Sequence, residues 1–211
     1  MLIIGAGGFS SEILSILLSN DYDREVVFFD NISKNIKTSI SNKFKILNSF
    51  NEVEKHYNQK VFDYCLGLGD LYGRRKLKLK MNSINGRLKN TISSFSNISL
   101  FNTKIGAGNN IFPGSKISSN VKIGDGCIIY FNSVISHDCS VGDYVQISPN
   151  STILGNCIIG SNTLVGAQSV ILPKIKVGNN VIIGAGSVVN CDIPDNSKAY
   201  GVPIKIFKNE R

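Results

Sequence analysis

Histidine is scarce in this chain of 211 residues: there are two, His56 and His137. A catalytic zinc normally takes three protein ligands, often histidines, so a zinc hydratase lacks its ligand set here and no metal site is expected. The five cysteines, at 65, 127, 139, 157 and 191, form no C-x-x-C pair. They read as reduced thiols serving as small hydrophobes rather than as disulfides or metal ligands. No apolar run reaches the roughly 18 residues that cross a bilayer, and no basic region precedes the apolar N-terminus. A cytoplasmic protein without a membrane span is the expectation. The net charge of +8 is shared by both halves, +5 before Ser96 and +3 from there on. Its densest basic cluster, Arg74–Lys80, alternates with leucine and reads as a solvated helix face. Nothing resembles a nucleic-acid module or a basic stripe. A mildly basic protein that handles small phosphorylated ligands fits this balance.

What is abundant is regularity. From Ile105 to Val189 every sixth residue is Ile or Val without exception, as in Ile123, Ile129, Ile135, Val141 and Ile147. Four places later comes a small or medium residue, such as Ser133, Cys139 or Val145, and one place later glycine recurs, as at Gly106, Gly124 and Gly142. A period of six matches neither a helix nor simple strand alternation, and it marks a hexapeptide β-helix. Each unit is read as a short strand and a turn, with the aliphatic inward and the glycine supplying backbone angles that a Cβ resists. Three units make a coil, so residues 18 apart should stack. Fully burying each Val or Ile is worth ~1.5–3 kcal/mol, which offsets the entropy of ordering the coils. The repeat fills the second half only, so two domains are expected, 1–90 and 91–211.

The first half opens on a short apolar strand, Met1–Gly5, which runs into the glycine loop Gly5-Ala6-Gly7-Gly8 and a helical pattern through Ile13, Ile16 and Leu17. Free N–H groups at a helix N-terminus favour a phosphate. A second strand, Val26–Phe29, ends in Asp30-Asn31, about where a βαβ nucleotide site places its ribose or base contact. Ser10 breaks the full G-x-G-x-x-G pattern. A third strand, Val61–Leu68, meets Gly69-Asp70 and a helix from Leu71 to Met81. Three βα units predict an α/β half-Rossmann domain. The segment from Ser33 to Asn48 reads as an exposed loop, Asn90–Asn97 as a bridge into the repeat, Pro194 as its end, and the residues beyond as a tail.

His56 lies in a polar helix and reads as a surface residue. His137 sits at the third place of its hexapeptide, pointing away from the packed interior, with Asp138 next to it. A histidine with an adjacent carboxylate can act as a general base, the carboxylate fixing its tautomer. Coil spacing places Gly155 one coil away on the same edge, where its N–H could meet a developing oxyanion.

Taken together, LIIGAGGFSSEI, FFDN, GLGD with Arg74, SHDCSVGDYVQISPN, GAGSVV and GVPIK resemble the sialic-acid O-acetyltransferase and nucleotide-aminosugar N-acetyltransferase family, which includes bacillosamine, perosamine and viosamine acetyltransferases. The resemblance covers nearly the whole chain. It implies a left-handed parallel β-helix, a homotrimer with active sites between subunits, and acetyl-CoA bound between neighbouring helices. It also implies a nucleotide-linked sugar on the N-terminal domain. By position, His137 matches the family's catalytic base, Asp138 its acidic partner and Gly155 its donor to the thioester oxygen. Gln146, Gly155, Ala167 and Ala185 fall where the family contacts coenzyme A, although some relatives carry His where Gln146 stands. Ala6, Gly7, Gly8, Asp30, Asn31 and Gly69 fall where it contacts the nucleotide sugar. The implied reaction is acetyl transfer to the amine of a nucleotide-linked 4-amino-4,6-dideoxyhexose, with O-acetylation of sialic acid or another sugar hydroxyl as the alternative. A non-catalytic binding protein on the same scaffold would have no use for the outward His137-Asp138 pair.

Overall fold

A computed structural model describes residues 1–32 and 39–208. The chain divides into two compact units, Met1–Thr91 and the remainder from Ile92.

The first unit is an α/β domain. Its strands are β1 (Leu2–Ile4), β2 (Val27–Phe29), β3 (Ser39–Ile40), β4 (Phe44–Leu47), β5 (Phe62–Leu66) and β6 (Gly86–Leu88), with helices α1 (Gly8–Ser19), α2 (Phe50–His56) and α3 (Leu71–Asn82). The sheet order is β3-β4-β2-β1-β5-β6, and all pairs are parallel except the β3–β4 edge. The central strands β1 and β2 are buried throughout, as uniformly apolar strands of a parallel sheet are. Two parallel strands exceed the three read from sequence. Residues 33–38 of the expected loop lie outside the described residues, but 39–47 form a hairpin whose buried Ile46 and Leu47 pair with β2. The five parallel strands follow the doubly wound order 3-2-1-4-5. Its topological switch point lies between β1 and β5, where ligands of such sheets bind.

The second unit is a left-handed parallel β-helix. Its two-residue strands stack in three sheets, with partners 18 residues apart: Ile111 on Ile129, Ile117 on Ile135, Ile123 on Val141. Every sixth-position aliphatic from Ile111 to Val189 is at most 4% exposed. The small inward residues also stay satisfied. Ser151, Thr163 and Ser169 each donate a hydroxyl bond to the carbonyl 15 residues on, and the thiols of Cys127, Cys139 and Cys157 point to carbonyls at the same offset. Cys191 is exposed.

Two expectations change at the ends of the helix. The segment read as a bridge is part of a further coil: Ile92 and Ile98 pack against the core, and Ile98 pairs with Ile117. One extra residue between Ile98 and Ile105 hides this coil from a search at period six. Beyond Pro194 the chain does not trail off. Ser197–Tyr200 pairs in parallel with Ile182–Ile183 and folds back as a hairpin with Lys205–Lys208.

The glycines that recur one place after an aliphatic have a different reason from the one expected. Gly106, Gly124 and Gly142 are not among the residues with positive φ. They are small because the next coil is close: a Cβ on Gly124 would stand 2.8 Å from the Gly142 carbonyl carbon, and one on Gly142 2.7 Å from the Ser161 nitrogen. The left-handed turn falls two places further on, at every sixth residue from Asn102 to Gly186. Asparagine dominates there because its short polar side chain tolerates that region best after glycine.

Candidate active site

The corner residue two places after each aliphatic gives the helix three edges of different chemistry. The first runs Ala107, Asp125, Asp143, Ser161, Asn179 and Asp195, each backbone N–H from Ala107 to Asn179 bonded to the side chain of the next coil. The Ala107 N–H donates to Asp125 Oδ1 (2.8 Å), Asp125 N–H to Asp143 Oδ1 (2.8 Å), Asp143 N–H to Ser161 Oγ (3.0 Å), and Ser161 N–H to Asn179 Oδ1 (2.8 Å). Among the described residues the other two edges, Pro113-Phe131-Pro149-Ala167-Ala185 and Ser119-His137-Gly155-Pro173-Cys191, carry no such ladder. Proline is tolerated on them because the corner N–H is not needed for coil pairing.

The third edge brings His137, Asp138 and Gly155 together. Asn156 N–H donates to the His137 carbonyl (3.0 Å), which locks the two coils at this corner. The ring lies on Gly155, where an added Cβ would come 2.6 Å from Cε1 and 2.8 Å from Nε2. No described residue accepts from the Gly155 N–H. Asp138 Oδ2 is 2.7 Å from His137 Nδ1. Hydrogen bonds from His137 and Asn120 hold the Asp138 carboxyl below the usual carboxylate range. An ionised carboxylate can only accept, so Nδ1 carries a proton, and in the neutral ring the lone pair lies on Nε2. Both side chains are exposed, His137 by 57%. The arrangement can take a proton from a bound nucleophile.

On the second edge Ala167 is half-buried and Ala185 exposed, one coil apart, and no described residue accepts from either N–H. Gly166 stays small because a Cβ would meet the Ile183 oxygen at 2.6 Å. Gln146 faces outward on the strand before this edge, and its Nε2 donates to Ser148 Oγ (3.2 Å). A narrow strip with open amides suits an extended chain bearing its own amides.

In the first unit, Gly5 (φ 112°) closes on Gly67 so tightly that a Cβ would stand 2.6 Å from the Gly67 oxygen. This contact joins the C-terminal ends of β1 and β5. Gly7, Gly8 and Gly69 are different: a Cβ on any of them meets nothing within 4 Å. Gly7 begins α1 with no side-chain cap and no acid in the first turn. The Asp70 carboxylate instead closes α3, accepting from the Tyr72 and Gly73 N–H groups. Asp30 is half-buried at the end of β2, its carboxylate accepting from the Ile32 N–H (3.0 Å), with Asn31 exposed beside it.

Comparison with known proteins agrees with both halves. The PglD N-terminal domain matches residues 1–81, and the bacterial transferase hexapeptide family matches 102–137, 138–173 and 156–191. The first unit is thus similar to the PglD N-terminal domain and the second to bacterial hexapeptide transferases, and the chain is an acyltransferase. Among solved structures it is similar to the acetyltransferase domain of PglB from Neisseria gonorrhoeae (26% identity, 98% of each chain, TM-score 0.87). It is also similar to a histidine-to-asparagine variant of perosamine N-acetyltransferase from Caulobacter crescentus, solved with CoA and GDP-perosamine (26%, 98% of this chain and 95% of that one, TM-score 0.88). WeeI from Acinetobacter baumannii shares the fold (24%, 98% of each chain, TM-score 0.87). No curated sequence gives a significant match.

In this acyltransferase two residues escaped the expected roles. Arg74 is not on a solvated face: it is fully buried, and its Nη1 donates to the Leu66 and Leu68 carbonyls (both 3.1 Å) on either side of Gly67. His56 is half-buried rather than free on the surface. It stands 3.4 Å from Glu25 and edge-on to Tyr57. Asn120 carried no sequence signal of its own, though the same 18-residue step that links His137 to Gly155 links it to Asp138. Among the described residues no helix is long and apolar enough to cross a membrane, and no group of three or more His, Cys, Asp or Glu is placed to hold a metal.

Proposed function

We propose that this acyltransferase moves the acetyl group of acetyl-CoA to the amine of a nucleotide-linked 4-amino-4,6-dideoxyhexose. The observation that carries the reading is the outward His137, with Asp138 on Nδ1 and Gly155, whose N–H is open, packed against its ring. The likeness to perosamine N-acetyltransferase with CoA and GDP-perosamine, and to PglB with acetyl coenzyme A, supports the choice of substrates.

Acetyl-CoA lies along the second edge, its pantetheine amides meeting the open N–H groups of Ala167 and Ala185 beside Gln146. The nucleotide sits over Ala6, Gly7 and Gly8 at the open end of α1, near Gly69, with Asp30 and Asn31 reading its ribose or base. The acceptor nitrogen attacks the thioester carbonyl directly. Nε2 of His137 takes the amine proton as the C–N bond forms, while the oxyanion is held by the Gly155 N–H. The C–S bond then breaks, and the proton passes from Nε2 to the departing thiolate. The buried thiols Cys127, Cys139 and Cys157 are donors to carbonyls of the helix core, so the route uses no acyl-enzyme. The active form is a cytoplasmic homotrimer with its sites between subunits.

The test is mass spectrometry of acceptors incubated with acetyl-CoA: UDP-, dTDP- and GDP-linked 4-amino-4,6-dideoxyhexoses, with free and CMP-linked sialic acid beside them. Acetyl gain on one amino sugar is the expected result. Gain on sialic acid alone overturns the amine in favour of a hydroxyl. His137→Ala should lose roughly 10²–10⁴-fold in turnover. Full turnover in that variant removes His137 as the base.

A further inference from the structure

We propose that Asn120 is a positioning residue for the acetyl transfer, fixing the carboxylate of Asp138 so that it in turn fixes the ring of His137. This rests on the reading of His137 as the base.

Asn120 and Asp138 occupy the left-handed place of successive coils on the same edge, with φ of 57° and 59°. The backbones are tied there, the Asp138 N–H donating to the Ser119 carbonyl (3.1 Å). Asn120 Nδ2 donates to Asp138 Oδ1 (3.0 Å), and Asp138 Oδ2 accepts from His137 Nδ1 (2.7 Å). Each carboxylate oxygen therefore has its own partner. With one partner alone, an exposed carboxylate can turn about its Cβ–Cγ bond and release the ring. Packing does not supply the missing restraint, because the side chains of His137 and Asp138 are 57% and 43% exposed. Hydrogen bonds must do it.

The turn does not itself require this bond. Asn132, Asn150, Asn156 and Asn162 adopt the same backbone, and none of their side chains makes a hydrogen bond among the described residues. The amide of Asn120 is also a suitable donor for the task. It is neutral, so it orients the anion without bringing a second positive charge beside the imidazole. The depressed carboxyl of Asp138 agrees with two donors sharing its charge.

The test compares Asn120→Gly, which deletes the amide while keeping the left-handed backbone at no steric cost, with Asn120→Asp, which turns an acceptor toward the carboxylate. Asn120→Gly should lose roughly 3- to 30-fold in kcat with unchanged KM for either substrate and an unchanged melting temperature, and Asn120→Asp should lose more. In an Asp138→Asn background the loss at 120 should vanish, because the residue acts only through Asp138. Parental kcat in Asn120→Gly, or an equal loss in both backgrounds, overturns the proposal. Should Asn120→Gly melt well below the parent, the cycle with Asn120→Asp decides in the same way. His137→Ala run alongside separates the two readings. Its full activity defeats the base itself, whereas its inactivity beside a normal Asn120→Gly defeats only the role of Asn120.

Discussion

The imidazole of His137 rests on the Cα of Gly155, one coil further along, with no room for a methyl group between them. A Cβ there would stand 2.6 Å from Cε1, 2.8 Å from Nε2 and 3.2 Å from Nδ1. Gly155 has ordinary backbone angles, so Gly155→Ala is not strained in itself, and the exposed ring can swing aside. The variant should melt close to the parent while kcat falls by about 100-fold, the cost of misplacing a reacting group by an ångström. Thermal melting and steady-state kinetics on the same sample check both halves.

Asp138 bounds the pH behaviour of this corner from the acid side only. Its folded-state pKa is lowered, by the bond from His137 first and that from Asn120 second. Such a group stays ionised as pH falls past the ordinary carboxylate value near 4, and its hold on Nδ1 is lost only below that. From about pH 5 upward the Asp138 charge is constant, so any change of kcat in that range must come from another group. Asp138→Asn should lower kcat about tenfold or more at every pH above 5, since the amide no longer fixes one tautomer. A loss confined to one end of the range argues against this role.

The glycines of the first loop separate folding from ligand binding. Gly8 opens α1, and a Cβ there meets nothing within 4 Å. Alanine is also the better helix former. Gly8→Ala should therefore keep or slightly raise the melting temperature, while KM for the nucleotide sugar rises roughly tenfold, equal to ~1.4 kcal/mol of binding. Unchanged KM would leave the loop without a ligand role.

The turns of the helix make a stability prediction free of any functional reading. Asn162 has φ of 58° and is exposed. Valine forced into that region should cost about 1–2 kcal/mol, and glycine at the same place avoids the clash. Denaturant midpoints of Asn162→Val and Asn162→Gly would show the difference.

Much of the β-helix was legible because a repeat presents each residue with the same surroundings as its neighbour six places on. Ile129, Ile135 and Val141 announce their burial by spacing alone, and His137 and Gly155 were paired by counting one coil. The coil holding Ile92 and Ile98 was hidden by a single extra residue. In the first unit, β4 and β6 were missed because neither shows the unbroken apolar run of β1 and β2: Lys45 interrupts β4 and Arg87 interrupts β6. Arg74 looked like its basic neighbours, and only the carbonyls of Leu66 and Leu68 explain why it alone is buried.

The sequence by itself determined the repeat, the inward and outward sense of its positions, the glycine loop and the chemistry available at His137 and Asp138. Tertiary structure decided why glycine recurs after the aliphatics, which helix N-terminus is open and which is closed by Asp70, and which edge of the coil is sealed by a side-chain ladder. It also decided that Asn120 reaches Asp138. Spacing along a chain records which face a residue occupies, but a hydrogen-bond partner one coil away depends on register and direction, and these exist only once the coils have stacked.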